Sequence, residues 1–363
     1  MNWLFIIRGF KPFDLSTIDK RPLGGTESAL IYLMKSLFKL KQKIFFSSEH
    51  LIGEENSEIF QLNINSLENL KSNNIDIIIY IGRPEYVNDL KNKFPKKPIV
   101  LWISHAANQP AVQALSNKDN IKNIRKIMFL SNWQRKDFIA KFNLDEDKTF
   151  NIDYGISFEF QNMFKNIEEF IDAKQSNNGI YSSTPYRGLK VLEAAENFIK
   201  KKNFEIEIFS SMHISKEDDA PYTYLYDSLK KKNIFSYKSN VSKKELSESY
   251  KRKSFLFYPN TFAETFCSTT LDALASGCEV ITTDLGCLKE TCMGYGVFMD
   301  VSFNNTFEEF SKRYSVMMED AISYKEKNFS KWIDNQYKQY TKINERFNWN
   351  IKANEWIKFA NSL

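Results

Sequence analysis

Short runs of β-branched and aromatic residues alternate with helical patterns along most of this chain, and this alternation limits its fold more than any other feature. In the first half the predicted strands are residues 3–8, 43–47, 75–81, 98–104 and 127–130. Two of these, 75–81 and 98–104, are nearly continuous apolar runs, which is typical of strands buried on both faces. The pattern predicts a parallel sheet covered by helices.

The same pattern starts again after a break at Gly155 and the polar stretch that follows it. Strands are predicted at 179–183, 205–209, 234–237, 255–258, 279–283 and 297–299, and the tail from Thr306 is helical without strands. A chain of 363 residues is too long for one ordinary core. We therefore predict two doubly wound α/β domains, 1–155 and 156–346, with a C-terminal helix at 347–363 that returns to the first domain.

Composition narrows the class of protein further. The net charge of +5 (50 basic minus 45 acidic residues) comes entirely from the first 155 residues, where the basic residues are too diffuse for a nucleic-acid-binding surface. No apolar run reaches the ~18–20 residues of a membrane span, and no signal peptide is evident. The four cysteines fall between residues 267 and 292 with irregular intervals, so we predict reduced thiols in a cytoplasmic protein, a zinc site being the alternative.

The loop and helix after the strand at 255–258 carry the most chemistry. Glu264 precedes a helix predicted at 266–276, and Asp272 follows eight positions later, about 12 Å along the axis if the helix geometry were continuous. The free N–H groups at 266–268 form an anion site suited to a diphosphate. The structural alternative is a capping box between Thr261 and Glu264, which would leave Glu264 without a chemical role.

Three further loops contain candidate residues. Gly24 and Gly25 permit close backbone approach, and Thr26 is a candidate helix cap and phosphate contact, the alternative being a loop and cap without a ligand. His105 follows a buried strand and is either a ligand contact or a structural histidine. Trp133 either stacks on an acceptor sugar or packs against the following helix.

The acidic triplet 145–147 matches an Asp-x-Asp metal motif. It follows a helix rather than a buried strand, so we interpret it as solvated loop charge and expect no metal ion.

The stretch from Tyr258 to Glu290 resembles the nucleotide-sugar site of glycosyltransferase family 4 and its GT-B relatives. Similar landmarks occur in family order at 24–27, 104–105, 131–134, 153–156 and 181–189. The resemblance implies a GT-B fold of two facing Rossmann-like domains, and a retaining hexosyltransferase-type enzyme. It also implies a nucleoside-diphosphate sugar as co-substrate, a hydroxyl acceptor (glycan, lipid or small molecule) and no cofactor. We expect no metal, because the helix N-terminus and Arg187 can neutralise the diphosphate. The diffuse positive charge allows at most peripheral contact with a membrane.

The resemblance also implies roles for residues of the Tyr258–Glu290 stretch. Glu264 corresponds to the acid that contacts the donor sugar near its reacting end, and Asp272 to a glutamate that binds the ribose hydroxyls. The backbone amides of Thr265, Phe266, Cys267 and Ser268 correspond to the diphosphate-binding segment, with Cys267 where glycine is usual. Glu290 resembles another donor-side acid.

The cations of the family motif are only partly present. Arg187, before Gly188, corresponds to a cation that is commonly lysine, and a guanidinium can clamp phosphate oxygens bidentately. Ser182 stands where the family commonly has arginine. Either Arg187 stabilises the leaving group largely alone, or Arg8 or Lys190 substitutes. With His105 touching the donor sugar, the expected catalytic residues are Glu264, Arg187 and His105.

Two other functions stay open at this point. A nucleotide-sugar epimerase also uses two facing Rossmann-like sheets, although this chain has few histidines for proton transfer. A catalytically silent nucleotide-sugar-binding module would account for the departures at Ser182, Cys267 and Asp272. The sequence does not indicate the sugar, the base, the acceptor or the oligomeric state.

Overall fold

The described part of the chain forms two parallel sheets, the first of seven strands and the second of six. The computed structural model describes residues 1–51, 59–200, 203–215, 217–301 and 306–363. The strands of the first sheet are β1 (Asn2–Ile7), β2 (Lys43–Ser48), β3 (Phe60–Asn63), β4 (Ile77–Ile81), β5 (Ile99–Trp102), β6 (Lys126–Phe129) and β7 (Thr149–Asn151). They lie in the order β3-β2-β1-β4-β5-β6-β7. In the register of β1, Phe5 lies opposite Phe46 of β2 on one side and Ile79 of β4 on the other.

The second sheet contains six strands, again all parallel. They are β8 (Gly179–Ser182), β9 (Ile206–Phe209), β10 (Phe235–Tyr237), β11 (Phe255–Tyr258), β12 (Glu279–Thr283) and β13 (Val297–Met299). Their order is β10-β9-β8-β11-β12-β13. β11 lies in the middle of the sheet and is buried along its whole length, so the loop that follows it starts from a rigid position.

Helices connect the strands and form the C-terminal tail. In chain order they are α1 (Thr17–Lys20), α2 (Gly25–Lys39), α3 (Val87–Lys93), α4 (Lys118–Ile121), α5 (Asn132–Phe142), α6 (Ile167–Ala173), α7 (Leu189–Ala195), α8 (Thr223–Lys231), α9 (Lys243–Lys251), α10 (Ser268–Ala275), α11 (Leu288–Thr291), α12 (Phe307–Lys327), α13 (Phe329–Arg346) and α14 (Trp349–Asn361). Short 3₁₀ turns, such as Pro185–Arg187, extend several of the loops. No helix of the described residues is long and apolar enough to cross a membrane.

Two compact units divide the chain. The first contains Met1–Ile18, Thr26–Gly155 and Trp349–Leu363, and the second contains Asp19–Gly25 and Ile156–Asn348. Helix α14 packs within the first unit, where the Trp356 ring lies 5.0 Å from that of Trp102. Within the second unit the Ile156 N–H donates to the Phe347 carbonyl at 2.9 Å, so the two ends of its main segment are hydrogen-bonded.

The predicted strands are confirmed in both sheets, with ends that differ by at most two residues. The prediction omitted β3 and β7, which lie at the edges of the first sheet and contain three or four residues each. It also placed the start of the helix after β11 at residue 266, whereas α10 starts at Ser268.

Candidate active site

Glu264 lies in the loop between β11 and α10, with its side chain almost fully buried at 4% exposure. Its Oε1 atom accepts a hydrogen bond from the Tyr258 hydroxyl at 2.7 Å and forms an ion pair with Nη1 of Arg187. The Thr261 hydroxyl donates instead to the Tyr186 carbonyl at 3.2 Å. The capping-box alternative is therefore wrong, and the helix geometry is not continuous between Glu264 and Asp272, because α10 starts at Ser268.

The backbone of Glu264 is held by the loop after β12. The Cys287 N–H donates to the Glu264 carbonyl at 2.9 Å, and Gly286 forms a parallel bridge with Glu264. Gly286 has φ of +65°, and a Cβ added there would lie 2.3 Å from that same carbonyl oxygen. This close approach requires glycine at position 286.

Arg187 reaches Glu264 from the loop after β8. Gly188 follows with φ of +105°, and a Cβ added there would lie 2.0 Å from the carbonyl oxygen of Pro259. The guanidinium also lies 4.9 Å from the ring centre of Phe262. Burial acts to lower the pKa of Arg187, but the Glu264 carboxylate together with Tyr258 and Tyr186 outweighs burial, so that the pKa lies above its ordinary value. The side chain remains 27% exposed, so this permanent cation is accessible to an anionic ligand.

The N-terminus of α10 is capped by Cys267 in a left-handed conformation, with φ of +49° and ψ of +81°. The Cys267 side chain accepts no capping hydrogen bond. Its thiol is buried, and burial together with the nearby Glu264 raises its pKa to about 12. The thiol therefore stays protonated at neutral pH and is not a thiolate nucleophile. Thr265 and Phe266 precede the helix, Thr265 half-buried and Phe266 buried.

The glycine loop at 24–25 contains the first residue of α2, which is Gly25. Within the second unit, a Cβ added at Gly25 would lie 3.3 Å from the Ser268 Oγ atom at the start of α10. Thr26 lies inside the first turn of α2, so its predicted position as the cap is wrong. The Tyr154 hydroxyl donates to its Oγ1 atom at 3.4 Å.

Asp272 is buried on α10, and protein groups occupy most of its carboxylate. Oδ1 accepts from the Ser157 N–H at 3.0 Å, and Oδ2 accepts from the Ser157 hydroxyl at 2.9 Å. Nζ of Lys243 lies 3.1 Å from Oδ2. Ser157 and Lys243 could not be assigned to this site from the sequence, because they are 115 and 29 positions from Asp272.

Ser182 and the two candidate substitute cations, Arg8 and Lys190, each have contacts within their own unit. The Ser182 hydroxyl is buried and lies 2.5 Å from the Tyr250 hydroxyl. Arg8 pairs with Glu49 at 3.2 Å within the first unit. Lys190 is exposed, and its ammonium lies 5.2 Å from the ring centre of Phe307. Of the two candidate cations in the second unit, Arg187 and Lys190, it is Arg187 whose guanidinium contacts Glu264.

His105 and Trp133 both belong to the first unit. The side chain of Gln134 donates to the His105 carbonyl at 2.8 Å, which ties the His105 loop to the first turn of α5, where Trp133 is half-buried. Burial lowers the pKa of His105, so the neutral imidazole is favoured.

The remaining candidates are Glu290, the acidic triplet and the cysteines. Glu290 is exposed on α11, two residues beyond the Cys287–Leu288 turn. The acidic triplet 145–147 is exposed in a 3₁₀ turn. All four cysteines are buried and free.

No family model matches the chain, and no curated protein matches it in sequence. Solved structures match it along nearly its whole length. A glycosyltransferase from Rickettsia africae ESF-5 is 18% identical with a TM-score of 0.76, covering 99% of this chain and 98% of that chain. HepE (Alr3699) of Anabaena in complex with UDP is 12% identical with a TM-score of 0.72, covering 100% of both chains. The pneumococcal O-GlcNAc transferase GtfA in complex with UDP and GlcNAc is 10% identical with a TM-score of 0.70, covering 99% of both.

These likenesses show that the chain has the GT-B fold, as the resemblance to glycosyltransferase family 4 predicted. In such open α/β sheets, ligands bind beyond the carboxyl ends of the strands. Glu264, Arg187 and the start of α10 all lie in loops that follow β8 and β11, at that edge of the second sheet.

Proposed function

We propose that this protein is a retaining, metal-independent glycosyltransferase that moves a sugar from a nucleoside-diphosphate donor to a hydroxyl acceptor. One observation carries the proposal: the ion pair between Glu264 and Arg187 lies in loops at the carboxyl edge of the second sheet, where the start of α10 also lies. Neighbours of the same fold were solved with UDP, which supports a nucleoside diphosphate as the ligand of this edge.

The chain's own residues supply the charge that such a reaction needs. The diphosphate gains negative charge as the bond to the sugar breaks, and preorganised positive groups stabilise that charge. Arg187 donates to the phosphate oxygens, and the N–H groups at the start of α10 add the positive end of the helix dipole. Together they neutralise the negative charge of the leaving diphosphate without a metal ion. Glu264 orients Arg187 and contacts the donor sugar, and it is not required to act as a covalent nucleophile.

Retention follows from the resemblance to family 4, and the acceptor is assigned to the first unit on the same basis. His105, neutral because its pKa is lowered, is suited to hydrogen-bond a sugar hydroxyl. Trp133 offers an aromatic ring for an acceptor sugar. Thr265, Phe266, Cys267 and Ser268 would present backbone amides to the diphosphate, with Gly24, Gly25, Thr26 and Glu290 around the donor.

A binding and turnover experiment tests the proposal. Wild-type protein is screened by thermal shift against UDP-, GDP- and ADP-linked sugars, since a ligand of the folded state raises the melting temperature with occupancy. Hydrolysis of the stabilising donor is then measured, and Arg187→Ala is expected to lower the rate at least about tenfold. The matched control is Arg252→Ala, because Arg252 is exposed and precedes β11 at the opposite edge of the sheet.

The outcomes separate the proposed activity from its rivals. Donor hydrolysis that falls in Arg187→Ala but not in Arg252→Ala supports the transferase. An epimeric sugar nucleotide formed from the donor without any acceptor indicates an epimerase. Tight donor binding without turnover, with any acceptor offered, indicates a silent binding module. Product analysis by NMR of the new anomeric centre tests retention, and turnover in the presence of EDTA tests metal independence.

A further inference from the structure

The carboxylate of Asp272 has little remaining capacity for a ligand. A carboxylate offers about four acceptor positions, and three protein donors already occupy Asp272: the N–H of Ser157, the hydroxyl of Ser157 and the ammonium of Lys243. A ribose presents two neighbouring hydroxyls, and both would need acceptors if the carboxylate alone bound them. Asp272 by itself therefore fits the expected ribose contact poorly.

Lys243 has the capacity that Asp272 lacks. An ammonium carries three donors, and one of them is directed at Asp272. Across residues 1–51, 59–200, 203–215, 217–301 and 306–363, the other two have no hydrogen-bond acceptor, and the ammonium lies 5.5 Å from the ring centre of Phe160. The side chain is 20% exposed, so a ligand can reach it.

The fold places Lys243 at the edge where a nucleotide would bind. It is the first residue of α9, which follows β10, just as α10 follows β11. The Ser242 side chain caps α9 by accepting from the Glu245 N–H at 3.2 Å, which fixes the start of the helix. Lys243 therefore lies at the same carboxyl edge of the second sheet as Arg187 and Glu264.

Charge favours a diol over a phosphate at this position. Lys243 and Asp272 form a pair with no net charge, and such a pair attracts an anion less than the unbalanced positive end of α10 does. A neutral diol, by contrast, can accept from the ammonium and donate to the remaining carboxylate position.

We propose that Lys243 is a specificity-determining residue for the donor, one that binds the ribose diol of the nucleotide jointly with Asp272. This inference rests on the proposed function, because it assumes a nucleoside-diphosphate ligand. If so, the protein distinguishes ribose from deoxyribose through the ion pair of Lys243 and Asp272, and not through the Asp272 carboxylate alone.

Calorimetry on the full chain tests this assignment. UDP, GDP and ADP are titrated into wild-type protein, and the tightest of the three is compared with its 2′,3′-dideoxy counterpart. We expect Lys243→Met to reduce the ratio of the two affinities about tenfold, since a charge-assisted hydrogen bond is lost. Lys244→Met is the matched control, because Lys244 is the next residue of the same helix and is exposed. Lys243→Arg keeps the charge and is expected to keep the ratio within about threefold of wild type.

A structural role for Lys243 would change the measurements differently. If Lys243→Met lowers the affinity for the ribo and dideoxy compounds equally, Lys243 acts through the shape of the site and the ribose assignment is overturned. An unchanged ratio in Lys243→Met overturns it too, while the proposed function stands if wild type still binds the nucleotide. Failure of wild type to bind any of the three nucleotides overturns the proposed function and this inference with it.

Discussion

Because the backbone at Cys267 is left-handed, we predict that glycine is more stable than alanine at this position, the reverse of the usual order in helices. At φ of +49°, a residue with a Cβ carries a cost of about 1–2 kcal/mol. Glycine avoids that cost but loses about 0.5–1 kcal/mol more chain entropy on folding. Both Cys267→Gly and Cys267→Ala remove the buried thiol, so its lost contacts cancel in the comparison. We expect Cys267→Gly to be more stable than Cys267→Ala by about 0.5–1 kcal/mol.

Thermal unfolding followed by circular dichroism measures this difference. For a domain of this size, 1 kcal/mol corresponds to about 2–4 °C in melting temperature. The control pair is Glu248→Gly and Glu248→Ala, because Glu248 is exposed in the ordinary helix α9, where glycine is about 1 kcal/mol less stable than alanine. An alanine variant at position 267 that melts at the same temperature as the glycine variant, or above it, refutes the reasoning. Cys267→Gly is also expected to retain binding of the diphosphate.

Three further perturbations test the packing around the site. Gly188→Ala is expected to cost more than about 2 kcal/mol, because its Cβ would meet the Pro259 carbonyl, whereas Gly9→Ala adds backbone strain in open space and is expected to cost about 1 kcal/mol in urea unfolding. Arg187→Leu leaves the buried Glu264 carboxylate unpaired and is expected to cost about 3 kcal/mol. Adding Glu264→Gln should restore at least about 1 kcal/mol, and a double variant as unstable as the single one would contradict this. Because burial lowers the pKa of His105 in the folded state, its contribution to stability is complete above about pH 6.5 and is lost as pH falls through the folded pKa. Wild type should therefore lose more stability than His105→Gln when pH falls from about 8 to about 5, and equal losses would count against a buried neutral histidine.

Much of the fold could be predicted because buried parallel strands are continuous apolar runs. β11 and β12 have the predicted bounds, since their ends coincide with a proline and with polar turns. The edge strands β3 and β7 could not be predicted in the same way. They are short and include polar residues such as Gln61 and Asn151, so their sequences do not differ from those of loops.

The candidate site was predictable where its residues lie in loops that follow predicted strands, as Glu264 and Arg187 do. The loop with Glu264 follows a predicted strand. In the structure this strand is β11, and the loop begins directly after it. The start of α10 was predicted two residues too early, because nothing in the sequence indicates that Cys267 adopts a left-handed conformation. The contacts of Asp272 with Ser157 and Lys243 join distant segments, so only the folded chain brings them together.

The position of α14 has a consequence for biosynthesis. This helix follows every strand of both sheets in chain order, yet its Trp356 covers Trp102 of β5. The ribosome therefore releases all seven strands of the first sheet long before it makes their last covering helix. Until then the indole of Trp102 lacks the apolar cover that Trp356 provides, although every strand of the second sheet has already been made. Chaperone dependence and aggregation on truncation should accordingly be concentrated in the part of the protein that is made first.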